Sequence, residues 1–236
     1  MCKSKNVQKT YFIVSEKVET PMSKNKKMLL CVSVVFLVST IIGVFLNMLT
    51  GANEIYTFAW KRLFPSSAMA AYALFLYSRD FIDSAHQMGT RKLITAAAIG
   101  GSLMVGLNLL FGLLRARIGG DLLTQNQESL NATAATLPVV AFFVSLFCAP
   151  IVEETVFRFI LQGWLRERIK QGGAPISVII AGTLFALLHT GTPVDLIQYL
   201  PVGLLLGAIY EKTHCISLLI CIHSFNNLIA FALQNM

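Results

Sequence analysis

The chain has 236 residues, 55% of them hydrophobic and 13% charged, with a formal net charge of +7. Soluble domains carry roughly 25% charged residues, so this composition excludes an ordinary water-soluble enzyme and points to a polytopic membrane protein. Seven of the nineteen basic residues (Lys3, Lys5, Lys9, Lys17, Lys24, Lys26 and Lys27) fall in residues 1–27. Clustered at one end, they read as a membrane-topology signal, and no nucleic-acid partner is expected.

Residues 1–27 are expected to be a disordered, basic cytoplasmic segment. They do not read as a signal peptide, because the polar lead is long and no small-x-small cleavage site follows. Met22, followed by Ser-Lys-Asn-Lys-Lys, is a candidate alternative start. Apolar runs then occur at about 28–49, 63–77, 93–114, 137–165, 175–190, 196–210 and 215–233. No stretch alternates with period two, and open sheet edges cannot face lipid. The expected fold is therefore an all-α membrane bundle of seven transmembrane helices, with N-terminal helices in 28–136 and a core in 137–236. The polar connection 115–136 is expected to be an exposed loop. Gly203 and Gly207 stand four apart in the sixth run, a spacing that suits close helix packing.

Basic residues between the runs orient the bundle. With the N-terminus in the cytoplasm, the inner segments collect the seven N-terminal lysines, Arg79, Arg91, Lys92, Arg166, Arg168, Lys170 and Lys212. The outer segments collect only Lys61, Arg62, Arg115 and Arg117, which predicts N-in, C-out. The five cysteines (Cys2, Cys31, Cys148, Cys215, Cys221) lack CxxC spacing and read as small buried hydrophobes.

The stretch "APIVEETVFRF" places Glu153, Glu154 and Arg158 inside an apolar run. Each ionisable side chain at a helix centre costs about 2.5–3.5 kcal/mol on insertion scales. Glu154 and Arg158, at i and i+4, share a face and can pair. Glu153 lies about 100° away around an ideal helix, without a partner of its own. Two later runs carry "FALLH", with Phe185 and His189, and "HSFNN", with His223 and Asn227, each pair again at i, i+4. Measured from the cytoplasmic helix ends at 1.5 Å per residue, Glu153, His189 and His223 lie at depths of about 18, 21 and 13 Å. One carboxylate, two imidazoles and a carboxamide thus share an interior layer.

Glutamate with histidine can activate a water by general-base action, and histidine with asparagine can donate to an oxyanion. Equally, Glu153, His189 and His223 could ligate a divalent metal such as Zn2+ with an open fourth position. No HExxH and no Gly-x-Ser-x-Gly occurs, so neither of those signatures decides the chemistry. A proton- or ion-coupled transporter could use the same buried groups, but the internal repeats common in transporters are absent.

At these residues the chain resembles the CAAX protease and bacteriocin-processing family, also called the Abi or CPBP family. The family pattern of Glu-Glu-x-x-x-Arg, Phe-x-x-x-His and His-x-x-x-Asn on successive membrane helices is met by Glu153, Glu154 and Arg158, by Phe185 and His189, and by His223 and Asn227. The resemblance covers about 137–233. It implies an intramembrane endopeptidase of a membrane-associated peptide or protein, glutamate- or metal-dependent, in which Glu153 activates water with His189. By the same resemblance His223 and Asn227 stabilise the oxyanion, while Glu154, Arg158 and Phe185 position the site. Bacterial relatives imply roles in bacteriocin or signal-peptide processing, self-immunity or regulation. The alternative it leaves open is a non-catalytic protein that binds a sensor kinase or another membrane partner.

Overall fold

The computed structural model describes residues 88–121, 123–169 and 171–234. The expected helices at 28–49 and 63–77, the basic segment 1–27 and the candidate start at Met22 lie outside the described residues. Among the described residues the chain is helical, without strands. Five of the expected spans appear as α1 (Thr90–Arg117), α3 (Pro138–Arg168), α4 (Gly173–His189), α5 (Leu196–Thr213) and α6 (Ile216–Gln234). α1, α3, Pro193–Thr213 and Ile216–Leu233 are long and apolar enough to cross a membrane, which makes the chain a multi-pass membrane protein. α4, with 17 residues, is shorter.

The segment expected as an exposed loop contains a further helix, α2 (Gln125–Thr136). Its residues are polar and none is buried, so hydrophobic periodicity gives no sign of it. The capping chemistry does: the Thr124 hydroxyl accepts from the Gln127 amide at 3.2 Å, and Glu128 sits in the first turn, where the helix dipole favours an anion. Arg115, expected in the same exposed connection, is buried. Its Nη1 lies 3.3 Å from Asp195 Oδ1 and its Nε donates to Gln198 Oε1 at 3.3 Å. The other Asp195 oxygen accepts from the backbone N–H groups of Gly191 and Thr192. One carboxylate thereby ties the end of α1 to the turn that follows α4.

Lipid tails are as apolar as leucine, so helices in a membrane associate through close packing and interhelical hydrogen bonds. α4 and α5 approach through glycine: a Cβ built on Gly203 would lie 2.5 Å from the Gly182 carbonyl oxygen. Gly207 packs against Val178 one turn along, and its carbonyl accepts from Gln162 Nε2 at 2.9 Å. α1 meets α6 in the same manner, Gly100 facing Ile222 and Gly101 facing Phe225. The buried core joins Met104, Phe157, Phe185, Val202, Leu206, Leu219 and Ile222. Ile99, Leu113, Ile179 and Leu188 stay exposed on the outer faces, as lipid-facing positions should.

α3 is irregular where the chemistry lies. It widens to π-helical turns at Val144–Cys148 and Thr155–Gln162, on either side of the α-helical stretch Ala149–Glu154. Pro150 supplies a cause for the first, since it has no N–H and its ring crowds the preceding turn. The carbonyls it would otherwise engage, Ser145 and Leu146, accept instead from α6. Asn227 Nδ2 donates to Ser145 O at 2.9 Å, and Ser224 Oγ donates to Leu146 O at 2.8 Å. A helix defect thus becomes the bond that sets the register of α6 against α3.

Candidate active site

That register brings Glu154 and His223 together. Glu154 is fully buried, and its two oxygens serve two partners. Oε2 accepts from Arg158 Nε at 3.2 Å, and Oε1 lies 2.8 Å from His223 Nδ1. A carboxylate only accepts, so Nδ1 of His223 carries a hydrogen. The Arg158 guanidinium is buried as well, and its Nη atoms make no hydrogen bond among the described residues. Its carbon lies 5.1 Å from the centre of the Phe185 ring, within cation–π range.

The same phenyl ring stacks on His189, with centroids 4.3 Å apart and planes inclined by 29°. His189 Nδ1 lies 2.8 Å from the Phe185 carbonyl oxygen, again an acceptor, so this ring also carries its hydrogen on Nδ1. The i, i+4 spacing of Phe185 and His189 therefore does two things: it stacks the rings and fixes the imidazole tautomer. Tyr199 closes over His189 from α5, with centroids 5.4 Å apart.

Glu153 receives the other edges of both imidazoles. Its Oε2 lies 3.4 Å from His189 Nε2 and 3.7 Å from His223 Nε2. Neither contact has hydrogen-bond geometry, and among the described residues Oε2 is a buried acceptor without a hydrogen-bond partner. The carboxylate that an ideal helix leaves without a partner thus meets two histidines from separate helices. Among the described residues no group of three or more His, Cys, Asp or Glu side chains is arranged to hold a metal ion.

Glu153, His189 and His223 open onto a cavity of about 540 Å³. Asn227 also lines it, while Arg158 and Glu154 lie behind the wall. All seven positions singled out in the sequence therefore fall in or against one site. Sequence reasoning missed Asn108, Asn226, Gln198 and Tyr199, which line the same cavity. A lone carboxamide in the apolar run of α1 is the signal that could have found Asn108. α2 lies along the cavity through Asn126, Gln127 and Leu130, and the Thr124 and Tyr199 hydroxyls share a hydrogen bond of 2.7 Å.

The fold and site define a multi-pass helical membrane protein with a buried Glu/His centre opening on an internal cavity. Residues 135–229 match the family model described as type II CAAX prenyl endopeptidase Rce1-like, so this segment is similar to the CAAX protease and bacteriocin-processing family. The chain is 31% identical over 156 residues to the membrane-embedded CAAX protease MroQ of Staphylococcus aureus (strain USA300), covering 61% of this chain and 60% of that protein. It is 32% identical over 101 residues to the UPF0177 protein YaiH of Lactococcus lactis subsp. lactis (strain IL1403), covering 43% and 40%. A UPF0177 protein in the abiGi 5' region of Lactococcus lactis subsp. cremoris is 32% identical over 90 residues, covering 38% and 36%. The chain thus spans three fifths or less of the length of these relatives. No solved structure matches it significantly.

Proposed function

We propose that the protein is an intramembrane endopeptidase that hydrolyses a peptide bond of a membrane-associated peptide or protein, with Glu153 as general base. The observation that carries this reading is the environment of Glu153 Oε2: buried, without a donor among the described residues, facing two imidazole Nε2 atoms and open to a cavity. In its neutral form His189 has its lone pair on Nε2, because Nδ1 is committed to the Phe185 carbonyl. A water lying between Glu153 and His189 can then give one hydrogen bond to each.

Attack by that water on the scissile carbonyl transfers one of its protons to Glu153 and leaves an oxyanion. His223 donates to this oxygen from Nε2 as an imidazolium, its Nδ1–H held by Glu154. Asn227 donates the amide hydrogen that Ser145 does not use. Glu153 then hands its proton to the leaving nitrogen as the C–N bond breaks, and the second water proton leaves with the new carboxyl group. Fixed donors aimed at developing charge in a site shielded from water are worth more than the same donors in solution.

The basic ends of α1, α3 and α5 carry Arg91, Lys92, Arg166, Arg168 and Lys212; by the positive-inside rule we place them in the cytoplasm, with α2 on the outer side. Family resemblance favours maturation of a bacteriocin or peptide signal, or a related immunity or regulatory cut, as the process served. The test compares the membrane peptidome of cells carrying wild type or Glu153→Gln, with and without 1,10-phenanthroline. Wild-type-specific fragments that persist in the chelator are expected. Fragments lost with the chelator would move Glu153, His189 and His223 to a metal-ligand role. Identical peptidomes with a surviving phenotype would favour a non-catalytic protein that binds a membrane partner.

A further inference from the structure

The cavity contains a chain of three carboxamides, of which only Asn227 takes part in the proposed chemistry. Asn108 Nδ2 on α1 donates to Asn226 Oδ1 on α6 at 2.7 Å. Asn226 Nδ2 donates to Asn227 Oδ1 at 3.2 Å, and Asn227 Nδ2 donates to the Ser145 carbonyl at 2.9 Å. The three bonds run in one direction, from α1 across α6 to α3. Each amide nitrogen has two hydrogens and spends one of them on the next member. Asn108 Oδ1 accepts nothing within the ladder. With the second Asn227 hydrogen given to the oxyanion, one N–H on each of Asn108 and Asn226 and the Asn108 carbonyl oxygen remain unused within the ladder.

A role as interhelical glue does not account for this ladder. α1 and α6 already meet at close range through Gly100 and Gly101. A carboxamide in the middle of an apolar span is expensive to insert and is not needed to hold that contact. The ladder also lines the cavity rather than the lipid face. The cavity wall gives the character of what would lie there. Beyond Glu153, His189 and His223, the lining side chains among the described residues carry no formal charge, and Met104, Val105, Leu109, Val144 and Ile229 are apolar. Such a wall disfavours charged side chains. Neutral amides that both donate and accept match a peptide main chain.

Position along the bundle sets the register. From Asn227, which faces the oxyanion, Asn226 is one hydrogen bond away at 3.2 Å and Asn108 a second at 2.7 Å, a span of about two residues of extended peptide. We propose that Asn108 and Asn226 form the subsite that binds the substrate backbone about two residues from the scissile bond, with Asn108 Oδ1 accepting a substrate N–H. This makes Asn108, outside the segment that the family model matches, a specificity-determining residue that selects an extended, uncharged segment. The inference rests on the endopeptidase reading only for which bond is cut; the binding it describes can be measured without cleavage.

The experiment uses full-length Glu153→Gln protein in detergent and a panel of acetylated, amidated apolar octapeptides. In the tightest-binding peptide each amide is replaced in turn by an ester, which deletes one N–H. One ester position is expected to weaken binding about 10-fold, the upper range for a single neutral hydrogen bond. Adding Asn108→Leu is expected to weaken the parent peptide equally and to erase the penalty of that ester. An ester scan without a sensitive position, an Asn108→Leu protein that binds like its parent, or a protein that binds no member of the panel overturns the subsite. If Asn108→Leu does not fold, the ester scan on Glu153→Gln decides alone. Cleavage of the panel by wild type is measured separately. Binding with the predicted ester sensitivity but no cleavage would remove the endopeptidase reading and keep the subsite.

Discussion

Glu154 Oε1 and His223 Nδ1, 69 residues apart in the chain, lie 2.8 Å apart in the buried interior. The bond makes Glu154 the hinge of a three-member network, because its other oxygen holds Arg158 at 3.2 Å. In this reading the carboxylate that ion-pairs does not perform the chemistry; it fixes the histidine that does. The neighbouring carboxylate, Glu153, is left to face the cavity.

Removing one partner of a buried ion pair strands the other charge and costs about 3–5 kcal/mol. Glu154→Ala and Arg158→Ala should each lower thermal stability and protein level in the membrane. The double variant should regain part of the loss, since no charge is then unpaired, but not all of it, because His223 has lost its anchor. Thermal unfolding in detergent of all four proteins measures the coupling. Simple additivity would contradict a shared network.

A second prediction concerns the α4–α5 contact. A Cβ on Gly203 would meet the Gly182 backbone carbonyl at 2.5 Å, and backbone cannot swing aside as a side chain can. Gly203→Ala should therefore destabilise by about 1–3 kcal/mol, the usual cost of overpacking. Because α4 carries His189 and α5 carries Tyr199, activity should fall along with stability. The Gly106→Ala control, with nothing within 4 Å of its added Cβ, should do neither.

How much of this could be read from the sequence depends on range. The i, i+4 spacings of Glu154 with Arg158 and Phe185 with His189 placed those pairs correctly, since helix geometry fixes such neighbours. The convergence of Glu153, His189 and His223 followed from matching depths in separate apolar runs. Contacts across helices were not legible. Glu154 with His223, Arg115 with Asp195, and Asn108 with Asn226 depend on how helices rotate and dock, which no local pattern encodes. The π-helical turns of α3 add to this, because they shift side chains away from the ideal 100° step. α2 escaped notice because a polar surface helix has no hydrophobic period to detect.

Orientation gives a third prediction. The ends of α1, α3 and α5 that carry Arg91, Lys92, Arg166, Arg168 and Lys212 should face the cytoplasm, and the end carrying α2 should face out. A reporter that is active only outside, fused after Met236, should be active, and a cysteine placed at Gln125 should react with a membrane-impermeant thiol reagent on intact cells. Labelling of that cysteine only after lysis would reverse the orientation.

The last prediction separates the two kinds of catalytic group. If His189 shares the attacking water with Glu153, His189→Ala should lower kcat by at least about 100-fold, the lower end of general-base contributions. It should leave binding of substrate close to normal, because the ring touches the water and not the peptide. Asn227→Ala removes one oxyanion donor and should also reduce kcat by about 100-fold. It differs in a second readout, since Asn227 holds the Ser145 carbonyl at 2.9 Å. Leaving that buried acceptor unpaired should cost about 1–3 kcal/mol of stability, whereas His189→Ala strands no comparable backbone group within α4, whose helix already engages the Phe185 carbonyl through the ordinary i, i+4 amide. Single-turnover rates per folded molecule, taken beside melting temperatures, distinguish the two. A kcat loss for Asn227→Ala that disappears once the folded fraction is counted would reduce that residue to a structural anchor and leave His223 as the oxyanion donor.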